Sequence, residues 1–125
     1  MKQNEDQVRE LCRQYRGAKR GIIIAEKGLE AILNKIESSE TERERKQWEI
    51  ALGHKQDEVN AMGDIIIAFE TCIMALPEDE RSVIEQLYVK EKKWAEVTDI
   101  QGDLLPIKDS IKLWKRAKRR MARYL

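Results

Sequence analysis

The sequence predicts an all-α protein, in which an antiparallel, coiled-coil-like helical hairpin over residues 1–75 is followed by three short helices over residues 76–125. Residue types that favour helices dominate the 125 positions, and only six Gly and two Pro interrupt them. Charged residues make up 38% and apolar residues 42% of the chain. This balance is typical of long amphipathic helices and is too apolar for a disordered chain.

Apolar residues in the first segment recur at alternating intervals of three and four positions. This spacing is a heptad seam, which places one apolar stripe along a helix. The stripe contains Val8, Leu11, Tyr15, Ala18, Ile22, Ala25, Leu29, Ile32 and Ile36. We therefore expect a long first helix that packs against a partner helix.

A second helix is predicted after a break at Ser38. Possible capping boxes, Ser39 with Glu42 and Thr41 with Glu44, mark its start. Its seam contains Trp48, Leu52, Lys55, Val59, Met62, Ile66, Phe69, Ile73 and Leu76. Two amphipathic helices joined by a few residues usually fold back on each other, which predicts the hairpin.

Further isoleucines lie outside the two seams, at Ile23, Ile24, Ile50, Ile65 and Ile67. Apolar surface beyond a hairpin's own seam needs a partner. That partner could be the C-terminal helices or a second copy of the chain. We expect a homo-oligomer, with a dimer favoured and the hairpin as the oligomerisation region.

Three short helices are predicted after residue 76. Pro77 suits the first turn of a helix that ends near Val89. A second helix would follow the charged segment 90–93. The residues expected to face inward from it are Trp94, Val97 and Ile100. A turn at residues 101–103 then leads into a third helix, which Asp103 would cap.

The third helix combines an apolar side with a basic side. The apolar side is predicted to contain Leu104, Ile107, Ile111, Trp114, Met121 and Leu125, with Lys118 at a position where an apolar residue would otherwise fall. Residues 107–125 hold eight basic residues against Asp109 alone. A DNA recognition helix needs both sides, because one holds it to its bundle and the other enters the major groove.

Candidate DNA contacts follow from position along this helix. Lys108, Asp109 and Lys112 lie nearest its N-terminus and are expected to contact bases. The expected phosphate contacts are Lys115, Arg116 and Arg119, together with Lys92 and Lys93 before the second helix. A basic helix end also complements the helix dipole and improves solubility, so charge alone leaves both roles open.

A family resemblance adds to these patterns. Residues 76–88, Leu-Pro-Glu-Asp-Glu-Arg-Ser-Val-Ile-Glu-Gln-Leu-Tyr, resemble the first helix of the fourth region of bacterial sigma factors. The run Trp94-Ala95-Glu96-Val97 resembles the second helix, and Ser110 to Met121 resembles the recognition helix. With a coiled-coil-like region before it, the chain is similar to the ArpU/RinA-type regulators of phages of Gram-positive bacteria, which are implicated in switching on late genes. One departure from the sigma pattern is the longer stretch from residue 101 to residue 106.

The resemblance implies a sigma-like helix-turn-helix unit at residues 76–125 that binds double-stranded DNA at promoters together with RNA polymerase. We therefore expect a sequence-specific transcriptional regulator, acting as a phage late-gene activator. Two alternatives stay open. The chain could be an interaction module that binds RNA polymerase or another partner without reading DNA, or a DNA-packaging component similar to small terminase subunits.

Other classes of function are disfavoured. The sequence has no phosphate-binding glycine loop, and its single histidine, His54, has no Cys or His at metal-ligand spacing. We therefore expect no enzymatic activity, metal site or cofactor. The first 20 residues are strongly charged and unlike a signal peptide, and Cys12 and Cys72 are expected to be buried thiols. A cytoplasmic protein is expected, in the bacterial host cytoplasm if a phage encodes it.

Overall fold

The computed structural model describes the backbone of residues 2–125 and the side chains of residues 4–125. Its regular elements are all helical, which confirms the predicted class: α1 (Lys2–Glu37), α2 (Glu42–Met74), α3 (Glu78–Ile84) and α4 (Ile107–Ala122). A π-helical turn, Glu85–Val89, continues α3, and a 3₁₀ turn, Trp94–Glu96, precedes α4. None of the described helices has the length and apolar composition that crossing a membrane requires.

The chain forms two compact units, and both long helices contribute to each of them. One unit is Gly17–Ile66, and the other combines the chain up to Arg16 with Ile67–Leu125. This division falls inside α1 and α2, whereas the sequence suggested a boundary between residues 75 and 76. The C-terminal helices therefore share their compact unit with one end of each long helix.

In the unit Gly17–Ile66, α1 and α2 approach closely where α1 carries glycine. A Cβ on Gly21 would lie 3.0 Å from Cε of Met62, and one on Gly28 would lie 3.4 Å from Cε of Lys55. The two pairs show that the helices run in opposite directions here. The second pair also explains why the charged residue Lys55 can stand in the apolar seam. Its aliphatic stem packs on Gly28, while its Nζ reaches Glu58 at 2.9 Å.

The start of α2 follows the capping signal seen in the sequence. Thr41 Oγ1 accepts a hydrogen bond from the backbone N–H of Glu44 at 3.1 Å, so Thr41 is the N-cap. Ser39 has a different role from the one predicted, because its hydroxyl donates to the carbonyl of Lys35 at the end of α1.

The core of the other unit is built from all four helices. The ring of Tyr15 in α1 stacks on that of Phe69 in α2, with centroids 3.9 Å apart. The same unit contains further buried side chains, among them Val8, Leu11, Cys12, Cys72, Ile73, Val83, Ile84, Val97, Ala117 and Met121. Both cysteines are free and buried, as the sequence predicted. These contacts join segments that are far apart in sequence.

The predicted second short helix is wrong. Only Trp94–Glu96 is helical, as one 3₁₀ turn, and Val97 is already extended. An isolated bridge pairs Thr98 with Leu104. Of the three residues expected to face inward, only Val97 does so, since Trp94 is 37% and Ile100 is 56% exposed.

The turn at residues 101–103 is confirmed, and interactions between neighbouring residues stabilise it. Gly102 has φ of 90°, a conformation that favours glycine. The carboxylate of Asp99 accepts hydrogen bonds from the N–H groups of Gln101 and Asp103. Asp103 therefore belongs to this turn and does not cap α4, which begins at Ile107 after Pro106.

Candidate nucleic-acid interface

Helix α4 has a buried face and an exposed basic face. Ser110, Trp114, Ala117 and Met121 are buried, and their spacing of 4, 3 and 4 residues places them on one face. The residues with the same spacing on the opposite face are Lys108, Lys112, Lys115 and Arg119, and all are exposed. The helix therefore presents an unbroken basic stripe directly away from its core.

The internal face differs in part from the predicted apolar side. Trp114 and Met121 are buried as expected, whereas Leu104, Ile107, Ile111 and Leu125 are 68%, 47%, 38% and 44% exposed. The small residues Ser110 and Ala117 take the internal positions instead. The isoleucines Ile107 and Ile111 therefore lie at the edge of the internal face and not at its centre.

The remaining predicted residues of α4 lie beside the basic stripe. Asp109 and Arg116 are exposed, and Asp109 is the acidic residue of the first turn, where a carboxylate complements the helix dipole. Arg123, after the last turn, is exposed as well. All six candidate contacts on this helix are thus on its solvent side.

Two other cations of α4 are engaged in contacts within the protein. Arg120 Nε lies 3.0 Å from the buried carboxylate of Glu80 in α3. Lys118 is half-buried, and its Nζ lies 4.8 Å from the centroid of the Trp114 ring. This cation–π contact explains why a lysine occupies a position where an apolar residue was expected.

A hydrogen bond to the π-helical turn also anchors α4. The indole Nε1–H of Trp114 donates to the hydroxyl of Tyr88 at 3.1 Å. Burial raises the pKa of Tyr88, against a smaller lowering by the Trp114 hydrogen bond. The phenol is therefore neutral across physiological pH and can serve as a structural partner.

The segment before α4 is held by a single buried side chain. Gln86 Nε2 donates to the carbonyl of Thr98 at 2.8 Å, and Gln86 Oε1 accepts from the Thr98 N–H at 2.9 Å. The same amide also donates to Ser82 Oγ at 3.0 Å. Because one side chain satisfies both backbone groups of Thr98, it positions the loop that leads into α4.

The other two candidate DNA contacts, Lys92 and Lys93, do not belong to the basic stripe of α4. They line a cavity of about 360 Å³ whose lining includes no residue of α4. Lys93 is exposed, while Lys92 is half-buried with Nζ 3.4 Å from Gln86 Oε1. Arg13 and Arg16 of α1 line the same cavity. Sequence patterns do not reveal that these arginines join the site, because more than 70 positions separate them from the lysines.

Among the residues with described side chains, no group of three or more His, Cys, Asp or Glu is arranged to hold a metal ion. Comparisons with protein-family models, with curated proteins and with solved structures found no match to this chain.

Proposed function

We propose that the chain is a sequence-specific DNA-binding transcriptional regulator whose α4 enters the major groove. The observation that carries the proposal is the exposed stripe Lys108, Lys112, Lys115 and Arg119 opposite a buried face. None of these four side chains has an ion-pair partner within the described part of the chain. Unpaired cations on a rigid helix attract phosphates and can reach the acceptor edge of guanine.

The likeness of residues 76–88 to a sigma factor's fourth region supports recruitment of RNA polymerase at a promoter. The proposed unit is a helix-turn-helix in which a 3₁₀ turn stands in the place of the second helix. The proposal extends to a phage late-gene activator of the ArpU/RinA type in the bacterial cytoplasm. It includes a coiled-coil-like hairpin that dimerises through exposed isoleucines such as Ile23, Ile24, Ile50 and Ile67 and so sets the spacing of two half-sites.

The test is a selection for binding among randomised duplexes, followed by titration of the recovered duplex at several salt concentrations. The double variant Lys112→Ala and Lys115→Ala should bind this duplex at least tenfold more weakly. The slope of log affinity against log salt should become shallower by about 0.9 for each phosphate that the variant no longer neutralises. Circular dichroism should show unchanged helicity, since both side chains are exposed.

The matched control is the double variant Arg43→Ala and Lys46→Ala, which removes the same charge from exposed positions of α2. It should bind the selected duplex like the unaltered protein. Equal weakening in the two double variants would mean that net charge alone drives binding. If no common sequence is recovered, the proposal of sequence-specific readout fails.

One observation favours the interaction module as a second candidate. Leu104, Ile107 and Ile111 are all exposed, and apolar side chains on a surface often mark a protein contact. In that case Ile107→Ser and Ile111→Ser would weaken binding to RNA polymerase, while no duplex would be selected from the random pool.

A further inference from the structure

The cavity beside the 3₁₀ turn has an unusual chemical make-up. Its wall combines four cations, Arg13, Arg16, Lys92 and Lys93, with two aromatic side chains, Tyr88 and Trp94. Among the residues with described side chains, none of those that line it carries a carboxylate. Its volume, about 360 Å³, lies in the range of cavities that hold small molecules.

The four cations are not equally available to a ligand. Arg16 is held in place, because its Nε lies 3.0 Å from Glu91 Oε1 and its guanidinium donates to the carbonyl of Leu87 at 3.0 Å. Within the described part of the chain, the ion-pair contact of Arg13 is a long, exposed one of 4.0 Å with Glu10, which contributes little. Lys93 is exposed at the wall. Arg13 and Lys93, both exposed, therefore supply positive charge that a ligand in this concave site can reach.

The wall that carries the lysines is held in a specific conformation. Glu91, immediately before Lys92, has φ of 59°, which non-glycine residues rarely adopt and which tends to occur at functional sites. The ion pair with Arg16 holds Glu91, and the N–H of Lys92 donates to the carbonyl of Gln86 at 2.9 Å. These two contacts fix the backbone that presents Lys92 and Lys93 to the cavity.

The aromatic part of the wall can take a planar group. Trp94 is 37% exposed although the sequence suggested a core position, so part of its ring is open to a ligand. Aromatic side chains beside cations are the usual surface for a nucleic-acid base with its phosphate. The hydroxyl of Tyr88 already accepts a hydrogen bond from Trp114, so this residue offers mainly its ring to a ligand.

From this combination we propose that the cavity binds a nucleoside phosphate, with the base against Trp94 and the phosphate held by Arg13 and Lys93. The site is separate from the stripe on α4 and does not depend on the function proposed for that stripe. The same chemistry could come from a free nucleotide or from a nucleotide of a single strand.

The proposal is tested by calorimetric titration of the full chain with adenosine monophosphate. Adenosine, inorganic phosphate and a 5′-phosphorylated tetradeoxyadenylate are titrated in parallel. The monophosphate should bind at least tenfold more tightly than adenosine or phosphate alone, because both halves of the site contribute. Preference for the tetranucleotide over the monophosphate would identify a strand as the natural source and support the proposal equally.

Variants locate the site. Arg13→Gln and Lys93→Gln should each weaken binding of the monophosphate at least fivefold, and Trp94→Leu should reduce its affinity to that of inorganic phosphate. Lys46→Gln, an exposed lysine of the other unit, is the matched control and should have no effect. Lys112→Ala with Lys115→Ala should also leave nucleotide binding intact, which separates this proposal from DNA binding by α4.

Three results would overturn the proposal. The first is that neither the monophosphate nor the tetranucleotide binds. The second is that inorganic phosphate binds as tightly as the monophosphate, which would leave the base without a role. The third is that Arg13→Gln and Lys93→Gln bind normally while their circular dichroism is native.

Discussion

The carboxylate of Glu80 in α3 is almost completely buried, and Nε of Arg120 in α4 lies 3.0 Å from its Oε1 and 3.1 Å from its Oε2. The arginine side chain is 48% exposed, whereas that of the glutamate is only 4% exposed. The pair therefore joins the two C-terminal helices. It also withdraws one arginine from the basic surface that the sequence suggested.

The unequal burial of this pair predicts unequal effects of substitution. Arg120→Met should lower the free energy of unfolding by about 2–3 kcal/mol, because it leaves a buried carboxylate without its partner. Glu80→Gln should cost only about 1 kcal/mol, because the arginine it releases is half in water. Urea unfolding measures both values. Arg116→Met, an exposed control on the same helix, should change stability by less than about 0.5 kcal/mol.

Ser110 provides a prediction of increased stability. Its hydroxyl is fully buried in the internal face of α4 and has no hydrogen-bond partner in the described part of the chain. A buried hydroxyl without a partner costs about 1–3 kcal/mol, and alanine is also the better helix former. Ser110→Ala should therefore raise the free energy of unfolding by about 1 kcal/mol in a denaturant titration.

Ser82 is the matched control, since its Oγ accepts a hydrogen bond from Gln86. Ser82→Ala removes a partner and should destabilise the protein. If both serine variants were destabilised to the same extent, the hydroxyl of Ser110 would have to have a hydrogen-bond partner in solution.

Ionisation of Cys12 should make the free energy of unfolding fall at alkaline pH. Burial, with a smaller effect of nearby Cys72, raises the pKa of the Cys12 thiol from 9.0 to about 12. The pKa of Cys12 is higher in the folded protein than in the unfolded chain, so the unfolded chain loses its thiol proton first. The contribution of Cys12 to the free energy of unfolding is therefore complete below about pH 9 and is lost as the pH rises towards about 12. Between about pH 8 and about pH 10.5 the decline should be about 2 kcal/mol, at about 1.4 kcal/mol for each unit of pKa difference.

The measurement compares unfolding of the unaltered protein and of Cys12→Ala at both pH values. Tyr15, whose pKa burial raises to about 12, contributes to the decline in both proteins. The alanine variant should therefore show the smaller decline, whatever its stability at the lower pH. Parallel declines would show that Cys12 ionises as readily in the folded state as in the unfolded chain.

Local patterns in the sequence predicted much of the helical structure. Heptad spacing identified the inward side of both long helices, because each seam position from Val8 to Ile36 and from Trp48 to Leu76 is buried or half-buried. The N-cap Thr41 and the turn around Gly102 were also predictable. Each depends on interactions within a few residues, and a sequence displays these directly.

The candidate interface was predicted less completely. The eight candidate residues were found by charge, yet the structure divides them between the solvent side of α4 and the cavity with Lys92 and Lys93. The apolar side of α4 was misplaced because Ile107 and Ile111 are more apolar than Ser110 and Ala117. Hydrophobicity alone cannot show that the neighbouring helices bury Ser110 and Ala117 in preference to the two isoleucines.

The sequence by itself determined where the two long helices form and that α4 carries a strongly basic side, since helix propensity and charge are properties of neighbouring residues. Only the tertiary structure decided which cations remain available. Glu80 engages Arg120, and Arg13 joins Lys93 at a cavity although the two are far apart in sequence. Both outcomes depend on contacts between separate segments of the chain, which form only when the chain buries its apolar surface.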